Sequence, residues 1–530
     1  MTLDLLVENA RIVDGTGAPW YRGAVGVANG RIDRIVREPD PELDAETRID
    51  AGGSVLAPGF IDAHSHSDLE LFSDPTLAPK TRQGITTEIL GQDGFSMAPL
   101  YGETGPFREY LSGLAGRLDG GWSWESMGEY LEAIKESGLA PDVATLVGHG
   151  TVRYEVLGMD ERTPDESELE EMAALVREGL EAGAVGFSTG LVYTPQVHAD
   201  TEEVSRLAGE LAPYGRPFVA HIRSEGRWIW EAMDEFVDIG ADLGVPLHVS
   251  HFKLTGAAQQ GKADRLIGHV ESARERGVDI TADQYPYTAG SSMLTSLLPP
   301  WVPSSDFEAL RETLSDPDQR EEIRRDIEEW RIDGWENVAG KTGWDAVELT
   351  NLASVAFAEE EGRSIEAIAT DRGERPVDVL CEAILAEEGE AAMIAHGLAE
   401  DDIREIMGSD RVAIGTDGLF GARPHPRVYG TFPRVLSRYV REDDLLGLEE
   451  AVFKMTALPA RAMGLESKGL IRPGLDADLV VFDPAVVDDR ATFEEPATHP
   501  LGIEHVFVDG EAVVRDGEVT GALPGSAIRA

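Results

Sequence analysis

The stretch Pro58-Gly59-Phe60-Ile61-Asp62-Ala63-His64-Ser65-His66 decides how the rest of the chain is read. A short apolar run ends there in a His-x-His pair. Along extended backbone, residues i and i+2 project to one face, so the two imidazoles converge at a strand end. Convergent imidazoles suit a divalent transition metal. Alone the pattern is weak, because paired histidines also decorate ordinary surfaces. Its weight comes from three other strand ends. Phe218-Val219-Ala220-His221 and Leu247-His248-Val249-Ser250-His251 each close an apolar run with histidine, and Val412-Ala413-Ile414-Gly415-Thr416-Asp417-Gly418 closes with aspartate. In a barrel of parallel strands all four ends open on the face where active sites sit. His251 shares strand parity with Val249. His248 has the opposite parity and is expected to face the helices as a structural histidine.

Outward from these motifs the chain alternates apolar runs such as Val143–Val147 with amphipathic stretches such as Glu166–Glu181 and Thr201–Leu211. Repeated β-then-α over the long middle predicts an α/β fold, a (β/α)8 TIM-like barrel, with a doubly wound sheet as the alternative. Both ends are different in texture. Leu3–Val7, Gly23–Val27 with the turn signal Asn29-Gly30, Asp478–Asp483 and His505–Gly510 all read as short strands and turns. The expected organisation is a small β-sandwich from 1–56 plus 468–530, a catalytic barrel over 57–467, and a more acidic, helical insertion over 302–375 capping the barrel mouth.

Composition narrows the function. The chain has 530 residues, 98 Asp+Glu against 46 Lys+Arg, and a formal net charge of -52. Hydrophobic residues still make up 42%, enough for an ordinary core, so the acidity does not signal disorder. A phosphate backbone would be repelled, which excludes nucleic acid as partner. No run of 18 apolar residues and no basic, apolar leader is present, so no membrane span or secretory signal is expected and the protein is placed in the cytoplasm. The one cysteine, Cys381, shares a helical apolar face with Val377, Leu380 and Ile384, and is read as an inert core thiol. Only seven of the basic residues are Lys, the other 39 being Arg. Acidic, lysine-poor chains resemble proteins of salt-accumulating microbes, where a Debye length of about 3 Å near 1 M salt makes such self-repulsion tolerable; the alternative is a merely acidic protein of a mesophile.

Longer strings then carry a resemblance. Val13–Gly17, Pro58–Asp62, Gly148-His149-Gly150-Thr151-Val152-Arg153, Ser188–Pro195, His221-Ile222-Arg223-Ser224-Glu225-Gly226, Ser250-His251-Phe252-Lys253, Ala282–Tyr287, Pro424–Arg427 and Gly430–Val435 are similar to the N-acyl-D-amino-acid deacylases (D-aminoacylases) of the amidohydrolase superfamily. The likeness spans nearly the whole chain. It implies a metal-dependent barrel with a small β-sandwich, hydrolysis of N-acyl-D-amino acids to a carboxylate and a free D-amino acid, and one or two divalent ions, zinc first. One departure matters: where that family usually reads Gly-Asn-Cys-Gly, with cysteine as metal ligand, this chain reads Gly91-Gln92-Asp93-Gly94. A carboxylate binds or bridges divalent ions but is harder than thiolate, so Mn²⁺ and Co²⁺ enter beside zinc. The expected metal ligands are therefore His64, His66, Asp93, His221, His251 and Asp417.

Asp417 is the expected general base, since a carboxylate at a metal-lined strand end accepts a proton from water and passes it to the leaving amine. Lys253 lies two positions after His251, and in so lysine-poor a chain it points to an anionic group on the substrate. The resemblance assigns it, with Tyr193, to the substrate carboxylate, and places Tyr285 and Arg427 in the pocket wall. The competing readings are a local acid partner for Lys253, a core position for Tyr285 and a loop anchor for Arg427. His149, His396 and His425 are expected to be structural or to support the ligands. Hydantoinase- and dihydroorotase-like relatives bridge two metals with a carbamylated lysine; here only Lys80 and Lys135 lie between His66 and His221, and neither ends a strand. The alternatives kept are such a cyclic amidase and, from another class, a non-catalytic barrel.

Overall fold

Eight short parallel strands, each buried along its whole length, form the centre of the molecule: β1 (Phe60–Asp62), β2 (Ile85–Leu90), β3 (Asp142–Gly148), β4 (Gly186–Gly190), β5 (Phe218–His221), β6 (Leu247–Val249), β7 (Ile280–Gln284) and β8 (Val412–Ile414). They are hydrogen-bonded in chain order. The structure, a computed structural model, describes residues 2–37, 43–102, 104–118, 120–304 and 306–530. Met1 and 38–42 of the expected small domain, and residue 305 of the expected insertion, lie outside the described residues. The seam between β1 and β8 closes through Ala63 N–H to Ile414 O (3.3 Å), Asp417 N–H to His64 O (2.8 Å) and a parallel bridge between Ser65 and Gly418. The predicted barrel is thus borne out.

The helices form for local reasons and pack for barrel reasons. Glu166–Ala182 starts on Asp165, whose carboxylate accepts from Ser167 and Glu168 N–H while Glu168 returns the capping box; Gly183, at φ +118°, ends it. Met172, Ala173, Val176 and Leu180 then meet Val143, Val147 and Phe187 of the sheet in one apolar shell. Ile61, Ile89, Ala144, Leu146, Val185 and Val219 form a separate cluster inside the barrel. His248 is in register with Val219, so its side chain points into the barrel and not toward the helices. Strand parity does not extend to His251, because β6 stops at Val249: His251 follows a turn, at φ +35°, and its direction is not set by strand alternation.

Strands from both chain ends share one nine-stranded sheet, with Val55–Pro58 pairing with Leu3–Ile12 on one side and Leu479–Phe482 on the other. Its alternation is clean: Leu56, Leu479 and Val481 join the domain's own core, while Val55, Ala57, Val480 and Phe482 pack on Phe432, Tyr439 and Met455. Between β7 and β8 the chain builds a three-stranded antiparallel sheet, Ala289–Met293, Ala392–His396 and Val347–Thr350, the second in the middle. Helices close over it around Leu310, Ile323, Val377 and the buried Cys381. Two of those strands lie outside 302–375, because the pairing of 289–293 with 392–396 draws both flanks into the unit.

Candidate metal centre

Two groups of buried side chains meet at the C-terminal mouth of the barrel. His64, His66, Asp93 and Asp417 form one, and Asp93, His221 and His251 the other. Asp93 stands between them. Its Oδ1 lies 3.6 Å from His64 Nε2, 3.8 Å from His221 Nδ1 and 3.6 Å from His251 Nε2, while its Oδ2 lies 3.6 Å from His66 Nε2. Asp417 Oδ1 faces His64 Nε2 at 3.6 Å and His66 Nε2 at 3.3 Å. All six residues read from sequence are therefore in one place.

The backbone is bent to put them there. His64 and His66 lie just past the end of β1, and Asp93, His251 and Asp417 have φ of +56°, +35° and +49°. Non-glycine residues keep such conformations only where the surroundings over-determine them. For Asp93 the restraint is visible: Gln196 donates to its carbonyl (2.9 Å) and accepts from Gly190 N–H (2.7 Å). Gly190 is required at that point, since a Cβ would sit 2.2 Å from the Asp93 carbonyl oxygen.

Several of the converging atoms lack protein partners although buried: both ring nitrogens of His64, His66 Nε2, His221 Nδ1 and Asp93 Oδ1. Buried polar atoms are normally satisfied, and imidazole nitrogens with a shared carboxylate are the donor set of a divalent ion. The residues fit a metal. Burial raises the cost of the Asp93 charge, yet His64, His221 and His251 hold its carboxyl well below the usual range. Asp417 is likewise held down against burial by Arg427, His64 and His66. Burial and Lys253 oppose protonation of His251, but Glu225 and Asp93 outweigh them and raise it to about 10.

Three supporting residues were missed in the sequence. Glu225 Oε1 lies 2.8 Å from His251 Nδ1, so with Nε2 turned to the metal group Nδ1–H donates to this carboxylate. Asp283, at the end of β7, connects His248 Nε2 (3.0 Å) with His64 Nδ1 (3.6 Å). Gln196 is the third. Glu225 and Asp283 fall inside quoted strings, and the signal that marks each is an acid near a strand end, Asp283 one residue before the end of β7 and Glu225 four residues after the end of β5.

The expected substrate groups line the same pocket. Lys253 Nζ is already paired with Glu225, so its local acid partner is real. Arg427 donates to Asp417 Oδ2 (2.7 Å) and to the Ser291 carbonyl (3.0 Å). Tyr193 OH meets Ser292 Oγ at 3.3 Å. Tyr285 OH is buried without a partner, and its ring lies 4.6 Å from the Arg427 guanidinium and 5.6 Å from Lys253 Nζ. Val338, Lys341 and Met393 of the inserted unit close the pocket wall. Of the other histidines, His149 pairs with buried Glu203 (2.7 Å), His425 accepts from Arg427 N–H (3.0 Å), and His396 faces Glu348 (3.2 Å).

A profile described as the amidohydrolase family matches residues 47–514. The chain belongs to the amidohydrolase family. This amidohydrolase is 35% identical to a D-aminoacylase of Alcaligenes xylosoxydans xylosoxydans over 98% of its own length and 96% of the relative's. It superposes with TM-score 0.84, at 35% identity and over 100% of both chains, on a D-aminoacylase whose binuclear metal centre is described by one-metal activation and second-metal attenuation. It also superposes with TM-score 0.84, at 34% identity and over 100% of both chains, on an N-acyl-D-glutamate deacylase from Bordetella bronchiseptica bound to zinc and a phosphonate mimic of the tetrahedral intermediate. Of the two lysines between His66 and His221, Lys80 is buried against Asp62, and Lys135 pairs with Glu132 on an exposed helix face. The carboxylate of Asp93 occupies the shared position.

Proposed function

We propose that this amidohydrolase cleaves the amide bond of N-acyl-D-amino acids, releasing a carboxylate and a free D-amino acid. The observation that carries the reading is one convergence: five buried ligand side chains gather around Asp93, the sixth, and the unpartnered hydroxyl of Tyr285 lines the same pocket. The D configuration rests on the relatives' names. His64, His66, Asp93 and Asp417 would hold one divalent ion, and Asp93, His221 and His251 a second. When bound, the metal polarises the amide carbonyl and acidifies the attacking water. Zinc is the first candidate, with Mn²⁺ and Co²⁺ favoured in proportion to the hardness of Asp93.

The chain's own groups do the rest. Asp417, kept ionised by Arg427, accepts the proton from water and returns it to the departing nitrogen. Tyr285 stays a neutral donor, because burial raises its phenol despite Lys253 and Arg427. With Tyr193, Lys253 and Arg427 it orients the substrate carboxylate. Purified protein loaded with Zn²⁺, Mn²⁺ or Co²⁺ in molar salt should hydrolyse N-acetyl-D-amino acids about 100-fold more efficiently than the L series. The corresponding amides should lose about 10- to 100-fold, the ~1.5–3 kcal/mol of a charged hydrogen bond. Equal rates for both series, or none with any metal, would sink the assignment.

The acidic surface is proposed as an adaptation to high salt. Of the seven lysines, Lys80, Lys253, Lys454 and Lys468 are buried and only Lys135 is exposed, so lysine survives where it has an internal role. Dialysis from molar to about 0.1 M salt lengthens the Debye length to about 10 Å and should unfold the protein, seen as loss of helical circular dichroism. Retention of fold and activity there would refute the adaptation.

A further inference from the structure

Beneath the metal centre lies a buried charged cluster that the reaction does not use. Lys80 Nζ donates to Asp62 Oδ2 (2.7 Å), Ser65 Oγ (2.8 Å) and Thr416 Oγ1 (2.8 Å), which exhausts its three protons. Glu88 Oε2 lies 3.3 Å away, and it also accepts from Ser67 Oγ (2.6 Å) and from Ser65 Oγ. Lys80, Asp62, Ser65, Ser67, Glu88 and Thr416 are all fully buried. An ammonium with two carboxylates in such a place costs several kcal/mol of desolvation unless every group is paired. Such an arrangement adds little stability over apolar packing, and removing one partner leaves a buried charge unpaired.

Its contacts join the two sides of the barrel seam. Asp62 Oδ1 accepts from Thr416 N–H (2.7 Å) and from His64 N–H (3.3 Å), one on each side. Thr416 Oγ1 donates to Asp62 Oδ2 (2.7 Å) and accepts from Gly418 N–H (3.2 Å), which brackets Asp417 at its φ of +49°. Ser65 sits between His64 and His66. Of the residues flanking the ligands of the His64–His66–Asp417 group, Ser65 and Thr416 are held by Lys80 directly, Gly418 through Thr416 and Ser67 through Glu88, while Ala63 is held by Ile414 and Gln92. On the other side His251 is supported by Glu225, while Gln196 holds the shared Asp93 and Asp283 reaches both sides, accepting from His251 N–H (2.9 Å) and facing His64 Nδ1 (3.6 Å).

We propose that Lys80, acting through Asp62 and Thr416, is the positioning residue that fixes His64, His66 and Asp417 as one metal-binding half of the centre. The proposal rests on the two-metal reading given above.

The test is metal binding to the full chain in molar salt, by titration with Mn²⁺ and with Zn²⁺ and by elemental analysis, for wild type, Lys80→Met and Thr416→Val. Thr416→Val keeps the Lys80–Asp62 pair and the shape of the side chain, so it is informative even if Lys80→Met does not fold. Wild type should bind two ions. Folded Lys80→Met and Thr416→Val should keep one ion at wild-type affinity and bind the other about 10- to 100-fold more weakly, the usual consequence of removing a ligand's support. A lowered melting temperature with both ions still bound at wild-type affinity would show a merely structural role and overturn the proposal. Wild type that binds fewer than two ions would bring down the two-metal reading, and the proposal with it.

Discussion

Asp417→Asn should lower kcat by about 10²- to 10⁴-fold, roughly 2.7–5.5 kcal/mol of barrier, while metal remains at the Asp93–His221–His251 group. The exchange preserves shape but removes the charge, and with it the capacity to take a proton. Asp417 is suited to that role because its two oxygens have different surroundings: Oδ1 faces His64 and His66, and Oδ2 is bound by Arg427 at 2.7 Å. The ionised form is thereby secured in a fully buried site. In the variant, Arg427 loses its charge partner but keeps the Ser291 carbonyl, so the pocket wall should stand. Steady-state kcat and KM, with elemental analysis of the same samples, separate the outcomes. Near-normal turnover would remove Asp417 from the chemistry, and loss of all metal would make it a ligand first and a base second.

The parts of this centre that were legible in sequence share one property. His64, His66, His221 and Asp417 each follow an apolar run, and a run followed by a ligating residue is a strand-end signal. His251 was found with the right residue and the wrong reason, since the strand stops at Val249 and a turn, not parity, aims the ring. Asp93 was legible only through resemblance, because it sits in a loop at positive φ where hydrophobic periodicity is silent. The Lys80 cluster was not legible at all. Its lysine lies 18 residues from Asp62 and 336 from Thr416, and no local pattern reports a contact at that separation. The inserted unit was placed by its acidity, whereas its limits are set by the pairing of Ala289–Met293 with Ala392–His396.

Substitutions at Asp93 should produce the largest change in metal binding. Asp93→Ala takes one shared ligand from both groups, leaving His64, His66 and Asp417 on one side and only His221 and His251 on the other. Loss of both ions is expected, with turnover down by at least about 10³-fold, roughly 4 kcal/mol. Asp93→Cys is the more discriminating exchange. The carboxylate offers Oδ1 to three histidines and Oδ2 to His66, so it can serve two ions through two atoms; a thiolate has a single sulfur for both. Sulfur is also the softer donor, so the ratio of Zn²⁺ to Mn²⁺ affinity should rise by about 10-fold or more. Cysteine tolerates φ near +56° less readily than aspartate, which should cost the variant some stability without altering the direction of the metal preference. Competition against a chromophoric chelator measures both affinities. An alanine variant that retains two ions and normal turnover would exclude Asp93 as ligand, and a cysteine variant with an unchanged Zn²⁺ to Mn²⁺ ratio would show that position 93 does not set the choice of metal.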